Sequence, residues 1–426
     1  MTNRLHAAPG SFALLAASAL ALSLSGCSGS SSNAPAVPGN FQSAQASAAV
    51  RSLRSALPAG KKPPGLTLLY SFGGAPDGYF PYGSIVIVSG NIYGTTSYGG
   101  SGGDGTVFEL TPAGSTYGES ILHSFTGPDG QTPIALQSAK GDLFVTAEVG
   151  GANSVGTALE LSRTGKQIAL TSFDGSAAGS YPEAPGLLDQ KTTIYTTTYA
   201  GGTYNSGTIV ALSAHGLTTT AIYNFTGGSD GGFPQAGLIA DAHGDLYGTT
   251  YGGGSAGLGT VFKLSPGKSG TESVLWSFQG GNDGANPTAG LTFDASGDLF
   301  GTTLKGGSAG DGVVFVVKHV GNSESVIHTF TGPPDGSTPY AGLTVQGKML
   351  YGTTFEGGGG AECSGGCGTI YEIATSGKSY AILHNFGSTD GSNPSFGSLI
   401  ARGNALYGAT VDGGTAGYGT VFSFAL

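Results

Sequence analysis

Three sets of residues in this chain have types and spacings that suggest chemistry. Asp77, Asp129, Asp174, Asp230, Asp283, Asp335 and Asp390 each stand before a glycine, and hard cations such as calcium want clustered carboxylate oxygens. Cys363 and Cys367 form a C-x3-C pair inside "GGAECSGGC", a spacing that suits a small disulfide or two metal ligands. Glu148, Glu183, Glu356 and Asp412 are acids that do not recur through the repeats. Carboxylates that converge in one cleft are the groups used for acid–base cleavage of glycosidic bonds.

Each set also has a plainer reading. Asp before Gly is a favoured turn residue, its side chain bonding to nearby backbone. One Asp per structural unit would also lie far from its fellows, so the seven are read as turn residues. A metal would need more ligands than Cys363 and Cys367, and no histidine lies near them in sequence, so the pair is read as a disulfide. No nucleophile elbow, metal motif or phosphate loop appears. The sequence therefore assigns no catalytic residue, no metal and no cofactor.

The units themselves emerge from three independent markers. Phe72, Phe125, Phe173, Phe225, Phe278, Phe330 and Phe386 each close a strand-like run. The Asp-Gly pairs follow; six continue as "DGxxP", and the third, "DGSAAGSYP", carries four extra residues. Gly105, Gly156, Gly207, Gly259, Gly312, Gly368 and Gly419 open "GTVF"-like segments at spacings of 51, 51, 52, 53, 56 and 51. All three markers count seven units. The unit ending at Phe278 offers strands at "AGLIA", "DLYGTT", "GTVFKL" and "ESVLWSF", and four strands in about 50 residues is the size of a propeller blade. The repeat region opens at 66–72 on what would be a fourth strand and closes at 419–426 on a third. Pairing those two ends completes every unit and limits exposed sheet edges, whereas a linear array would want capping repeats instead. The expected fold is all-β: a seven-bladed β-propeller, four strands per blade, closed by strand 66–72 against the C-terminal blade.

Composition agrees. The chain has 80 glycines, yet 19 Tyr and 21 Phe recur among Val, Ile and Thr, which favours short strands joined by glycine turns over disorder. The net charge is −10. Residues 1–65 hold five basic side chains and no acid, so residues 66–426 carry −15. A body this acidic repels phosphate backbones, and no nucleic-acid partner is expected.

The first 26 residues read as a leader: Arg4, an apolar run of about 14 residues, then Leu24-Ser25-Gly26 before Cys27. That run is of signal-peptide length and short for a membrane span. The segment resembles the bacterial lipobox, which implies lipidation of Cys27 as the mature N-terminus. Ser28 after it favours the outer membrane by the usual sorting rule. Residues 27–65, rich in Ser, Ala, Pro and Gly, read as a flexible tether. The expected location is the bacterial cell envelope, lipid-anchored, at the outer membrane.

The phrase "LYGTT…GG…GTVF…SF…DGxxP", repeated over 66–426, resembles the GloVer (Gloeo-Verruco) tandem repeat of bacterial choice-of-anchor surface proteins. The resemblance implies an envelope anchor and transfers no catalytic residue. More distantly the repeat is similar to kelch blades.

Function is then sought where the repeats differ. The column before each Gly pair reads Tyr98, Val149, Ala200, Gly252, Lys305, Glu356 and Asp412; the column before that reads Ser97, Glu148, Tyr199, Tyr251, Leu304, Phe355 and Val411. Tyr79, Tyr181, Tyr204, Phe233, Tyr340, Phe396 and Tyr418 stand in other turns expected on the same face. Aromatics mixed with variable charges suit a glycan or protein ligand, and the candidate face is Tyr98, Glu148, Tyr199, Tyr251, Lys305, Phe355, Glu356 and Asp412. For any single ring, packing one blade on the next is the plainer reading. A polysaccharide-active hydrolase or lyase and a purely structural surface protein are the alternatives. His123, His328 and His384 share one slot with Tyr70, Thr171, Tyr223 and Trp276, which reads as a tolerant strand position.

Overall fold

The structure is a computed structural model that describes residues 65–426, apart from 115, 140, 190–191, 215, 267–269 and 360–361. The leader at 1–26, Cys27 and residues 28–64 of the tether lie outside the described residues.

The described chain is a seven-bladed β-propeller. Blade 1 is Val86–Val88, Asn91–Thr96, Thr106–Ala113 and Thr116–Ser124, in that order across the sheet, every pairing antiparallel. Blades 2 to 6 repeat this order up to Tyr380–Asn385. Blade 7 takes its outer strand from the other end of the chain: Gly65–Ser71 lies against Thr420–Ala425, with Gly65 opposite Ala425 and Ser71 opposite Thr420. In blade 4 the first strand is shorter than the sequence suggests, only Ile239–Ala240. First strands stand nearest the axis, where neighbouring blades crowd. A Cβ on Gly290 would lie 3.3 Å from the Gly237 carbonyl, one on Gly342 2.9 Å from that of Gly290, and one on Gly397 2.3 Å from Ser84.

Seven apolar clusters hold the ring, each spanning two adjacent blades. At each junction sits the Phe that closes an outer strand, at most 1% exposed. Its N–H donates to the carbonyl of the "GT" glycine in its own blade, for example Phe225 to Gly207 at 3.0 Å. In five junctions its ring meets, edge-on, an aromatic on the third strand of the next blade: Phe72–Phe108, Phe225–Phe262, Phe278–Phe315, Phe330–Tyr371 and Phe386–Phe422, at 5.1–5.3 Å and 63–70°.

The glycine of "YGTT" answers that ring. Gly248 pairs across the ladder with Phe262, and a Cβ on it would lie 2.7 Å from the ring; Gly301 and Phe315 repeat this at 2.6 Å. The glycine thus makes room for a ring of its own blade, not for a neighbouring strand. Blades 2 and 3 lack the glycine and also lack the ring: Val145 faces Leu159, and Thr196 faces Val210. A small cavity, about 10 Å³, lies between these two blades, lined in part by Val145, Leu159 and Thr196.

The threonines divide the remaining work. The first donates to an alanine carbonyl of the following blade in four cases: Thr146 to Ala184, Thr197 to Ala236, Thr249 to Ala289 and Thr302 to Ala341, at 3.0–3.2 Å. The second meets the threonine of "GTVF" within its own blade, as Thr250 meets Thr260 at 2.8 Å. Both glycines of every Gly pair have φ between +73° and +95°, a region closed to most side chains.

The repeat aspartates fasten the outer junctions. Six of them accept a hydrogen bond or ion pair from the ring two residues before the junction Phe: Tyr70–Asp77 at 3.1 Å, His123–Asp129 at 2.8 Å, Tyr223–Asp230 at 3.0 Å, Trp276–Asp283 at 3.1 Å, His328–Asp335 at 3.3 Å and His384–Asp390 at 3.0 Å. The slot that reads as tolerant is a donor slot, and it accepts Tyr, His and Trp because each presents a ring O–H or N–H. These six aspartates also accept a backbone N–H three or four residues before them, as Thr226 donates to Asp230. Asp174, whose ring slot holds Thr171, instead accepts from Ser176 and Ala178. There the four extra residues separate the Asp from Gly179, whose added Cβ would strike Thr198, the place taken in blade 4 by Gly231 against Thr250.

Where the ring donor is Tyr or Trp, a glutamate of the next outer strand faces the same Asp. Burial and the Asp77 charge push Glu119 up to about 7, burial and Asp230 push Glu272 to about 7, and burial and Asp283 push Glu324 to about 8. A carboxyl raised on folding contributes stability that is full below its unfolded value, 4.5, and is lost as pH rises through the folded one. Thermal unfolding of Glu324→Gln should match the parent near pH 4.5 and exceed it above pH 8; equal curves at both pH values would refute the pairing. A second outcome concerns the glycine–ring pair. Gly248→Val should destabilise by about 1–3 kcal/mol through overpacking, and adding Phe262→Leu should recover part of the loss, since blade 2 carries that combination in Val145 and Leu159. Denaturant midpoints of the single and double variants measure both.

Candidate axial binding site

Two columns of side chains meet at one end of the propeller axis. The first is the column of Ser97, Glu148, Tyr199, Tyr251, Leu304, Phe355 and Val411, which leaves the second strands. The second is the residue after each loop proline: Tyr82, Ile134, Glu183, Gln235, Thr288, Tyr340 and Ser395.

A strained backbone residue sets both columns. Phe80, Thr132, Tyr181, Phe233, Asn286, Thr338 and Asn393, each directly before a loop proline, all have φ between +53° and +60°. This region is costly for side chains with a Cβ and unusual before proline. Each N–H reaches back to the preceding blade, as Phe233 does to the Ser206 carbonyl at 2.7 Å and Asn286 to Leu258 at 2.8 Å. In five blades the carbonyl of the same residue accepts the N–H of the site residue: Ser97 to Phe80, Tyr199 to Tyr181, Tyr251 to Phe233, Leu304 to Asn286 and Phe355 to Thr338, at 2.9–3.2 Å. One residue thus clamps the previous blade and fixes the backbone of a site side chain. The proline beside it packs on the "GT" glycine of the previous blade; a Cβ on Gly259 would lie 2.7 Å from Pro287.

The columns form two unlike sectors. Blades 6, 7 and 1 make an aromatic one: Tyr82 stacks on Phe396 at 4.6 Å, Tyr340 meets Phe396 edge-on at 4.4 Å, and Phe355 lies 5.4 Å from Tyr340 and 5.8 Å from Phe396. A neighbouring group joins Tyr79 to Tyr98 at 5.5 Å and to Tyr418 at 5.4 Å, with Tyr98 and Tyr418 exposed. Blades 2 and 3 carry the acids. Burial, then the Glu148 charge, drive the Glu183 carboxyl well above the usual carboxylate range, opposed by a hydrogen bond with Gln235. Burial raises Glu148 as well. Tyr199 is raised by burial and by the charge of Glu183, and Tyr340 by burial and by Glu356. Burial pushes Asp412 up to about 6.

Most of the candidate face therefore converges. Glu148, Tyr199, Tyr251, Phe355, Glu356 and Asp412 share one electrostatic and aromatic environment, with Tyr98 at its edge. Lys305 remains exposed and is not drawn in. Tyr82 and Gln235 belong to the site and escaped the sequence reading, although the column after the loop proline varies as much as the columns that were compared. Cys363 and Cys367 are joined in a disulfide, Cα–Cα 5.2 Å. Their loop is latched to blade 7 by Glu362, which accepts from Ser388 N at 2.8 Å and Oγ at 2.6 Å. No group of three or more potential metal ligands occurs among the described residues.

The model of the Gloeobacter/Verrucomicrobia repeat matches residues 58–210 and 135–365. No curated protein matches the sequence. Among solved structures, a putative 6-phosphogluconolactonase from Bacteroides uniformis is 14% identical, with a TM-score of 0.50 over 73% of this chain and 86% of that one. BamB from Moraxella catarrhalis is 13% identical, with a TM-score of 0.45 over 85% and 91%. YCF48 from Cyanidioschyzon merolae is 13% identical, with a TM-score of 0.49 over 84% and 98%. At such identities the likeness is one of fold alone.

The clamp residues give a test. Thr338 is β-branched and held at φ +59°, so Thr338→Gly should relieve local strain and stabilise the fold by about 1 kcal/mol. A lower unfolding temperature in that variant would mean the threonine side chain contributes more than its backbone strain costs.

Proposed function

The chain belongs to the Gloeobacter/Verrucomicrobia repeat family, and we propose that it is a lipid-anchored protein of the bacterial envelope whose propeller binds an extracellular ligand at the axial mouth. One observation carries the binding reading. Seven units that agree in their Gly pairs, loop prolines and junction phenylalanines diverge in two columns, and those columns meet at the same mouth. Scaffold alone gives no reason for Glu148, Glu183, Tyr199 and Tyr340 to differ from their counterparts in one place. The lipid anchor rests on Cys27 and the segment before it.

A second reading is supported by the acid sector. Glu148 and Glu183 are non-repeated carboxyls close enough to perturb one another, and such a pair with one proton retained is the arrangement of acid–base glycan cleavage. Under that reading the mouth processes a polysaccharide rather than holding a ligand.

Two measurements test these readings. The full chain, displayed against an array of polysaccharides and extracellular proteins with and without calcium, should give a hit that Tyr199→Ala and Tyr340→Ala abolish while thermal unfolding stays cooperative. Hits indifferent to both variants would remove the mouth from the function, and product release from a bound polysaccharide would select the enzymatic reading. Cys27→Ala should shift the protein from the membrane to the soluble fraction; unchanged retention would refute lipid anchoring.

A further inference from the structure

We propose, on the reading that the axial mouth is a binding site, that it receives a positively charged group of a peptide or protein: a lysine ammonium or arginine guanidinium held between Glu148 and Glu183 and flanked by tyrosine rings.

The two carboxyls are brought together by backbone contacts on both sides. Thr146, two residues before Glu148 on the same strand face, donates through Oγ1 to the carbonyl of Ala184, next to Glu183, at 3.1 Å. Between them a Cβ on Gly156 would strike Pro182 and come within 2.8 Å of the Glu148 carbonyl oxygen. Strand and loop therefore touch, and neither acid can be drawn away without breaking a blade junction.

The groups that face the pair leave its charge uncompensated. Glu183 faces Glu148, Tyr199 and the neutral Gln235. Glu148 lies near Tyr98 and Tyr82. No lysine, arginine or histidine among the described residues acts on either carboxyl. Two like charges in a site of reduced polarity cannot both ionise cheaply, so burial and their mutual charge hold the pair above the ordinary carboxylate range. A cation placed between them opposes that shift and favours release of a proton.

A separate observation points to a missing partner. Ser97 stands in the same column as Glu148, is 2% exposed, and its Oγ has no hydrogen-bond partner among the described residues. A buried hydroxyl is normally satisfied, and an ammonium or guanidinium N–H is a donor it could accept. Tyrosine rings attract cations, and the −15 charge of residues 66–426 steers basic partners toward the body.

A neutral sugar would use the same surface differently. It would hydrogen-bond to the protonated carboxyl, and its affinity would fall as pH rises. The pH dependence of binding therefore separates the two ligand classes.

The experiment uses the full chain in detergent at 0.15 M salt, with fluorescent hexalysine, hexa-arginine and hexaglutamate peptides and a neutral hexasaccharide, from pH 5 to 8. The expected result is binding of a basic peptide whose affinity rises with pH, by up to about tenfold per unit where one proton is released. Titration calorimetry in buffers of different ionisation enthalpy should show that release directly. Glu148→Gln and Glu183→Gln should each weaken binding at least about tenfold, while Asp294→Asn, which removes one charge from a turn outside the mouth, should leave it unchanged. Basic peptides weakened no more by the mouth variants than by Asp294→Asn would overturn the proposal, since binding would then follow the body's charge. A neutral hexasaccharide lost in Tyr199→Ala and weakening as pH rises would overturn the cationic ligand and leave the mouth reading standing. No probe sensitive to Glu148, Glu183 or Tyr199 would overturn both.

Discussion

The structure depends on the burial of one phenylalanine at each blade junction. A blade of four short strands cannot bury both faces alone; it becomes stable only against neighbours. Phe225 shows how the junction is made. Its N–H is fixed to Gly207 in its own blade, its ring enters the next blade against Phe262, and Phe262 fits because residue 248 is glycine. Four residues from two blades define one contact, and the contact sets how far apart the blades stand. The glycines of "YGTT" are therefore consequences of the rings. Blades 2 and 3 support this from within the chain, since glycine and aromatic are absent there together. The small cavity between those two blades marks the packing given up when both are replaced.

The same dependence explains closure. Seven junctions require seven neighbours, so the seventh blade must meet the first. Leu69, Tyr70 and Phe72, from the first described strand and its end, pack with Ile85, Ile92, Phe108 and Leu110 of blade 1, while strand Gly65–Ser71 itself pairs with the last strand of the chain. The strand that completes blade 7 thus carries the phenylalanine of the seventh junction. Separating it would open a sheet edge and a core at once, which is why the two ends of the repeat region are offset by one strand.

What was legible in the sequence follows from which constraints act through residue type alone. Room for a ring, a backbone at positive φ, or a turn admits few residues, so Gly248, the Gly pairs and the loop prolines recur visibly. Constraints met by several residue types leave no such trace. Tyr70, His123 and Trp276 share little in hydropathy or shape, yet each donates from a ring to an aspartate, and the slot reads as tolerant. The residues before the loop prolines are harder still. Phe80, Thr132 and Tyr181 are poor choices for positive φ, and their conformation is imposed by hydrogen bonds to two blades rather than by local preference. Glu183 was visible as a departure from the pattern and Tyr340 as one of several turn aromatics. Their proximity to Glu148 and Phe355 required the ring, because sequence spacing says nothing about which residues of different blades face each other.

The clamps also account for how a nearly symmetric scaffold carries an asymmetric site. In five blades the backbone of the site residue is held by a carbonyl whose position does not depend on the side chain at either end. Ser97, Tyr199, Leu304 and Phe355 therefore project from equivalent places although they differ in size and polarity. Function can change in those columns without disturbing the junction phenylalanines, and the cost of the strained residues before the loop prolines is met by the rest of the ring. Such independence permits the acids of blades 2 and 3 to stand together, uncompensated, in a fold that gains nothing from their repulsion. The outer junctions carry opposed carboxyls of their own, Glu119 with Asp77, Glu272 with Asp230 and Glu324 with Asp283, but each of those aspartates also has a ring donor. On the binding reading proposed above, Glu148 and Glu183 are the pair that a ligand would use.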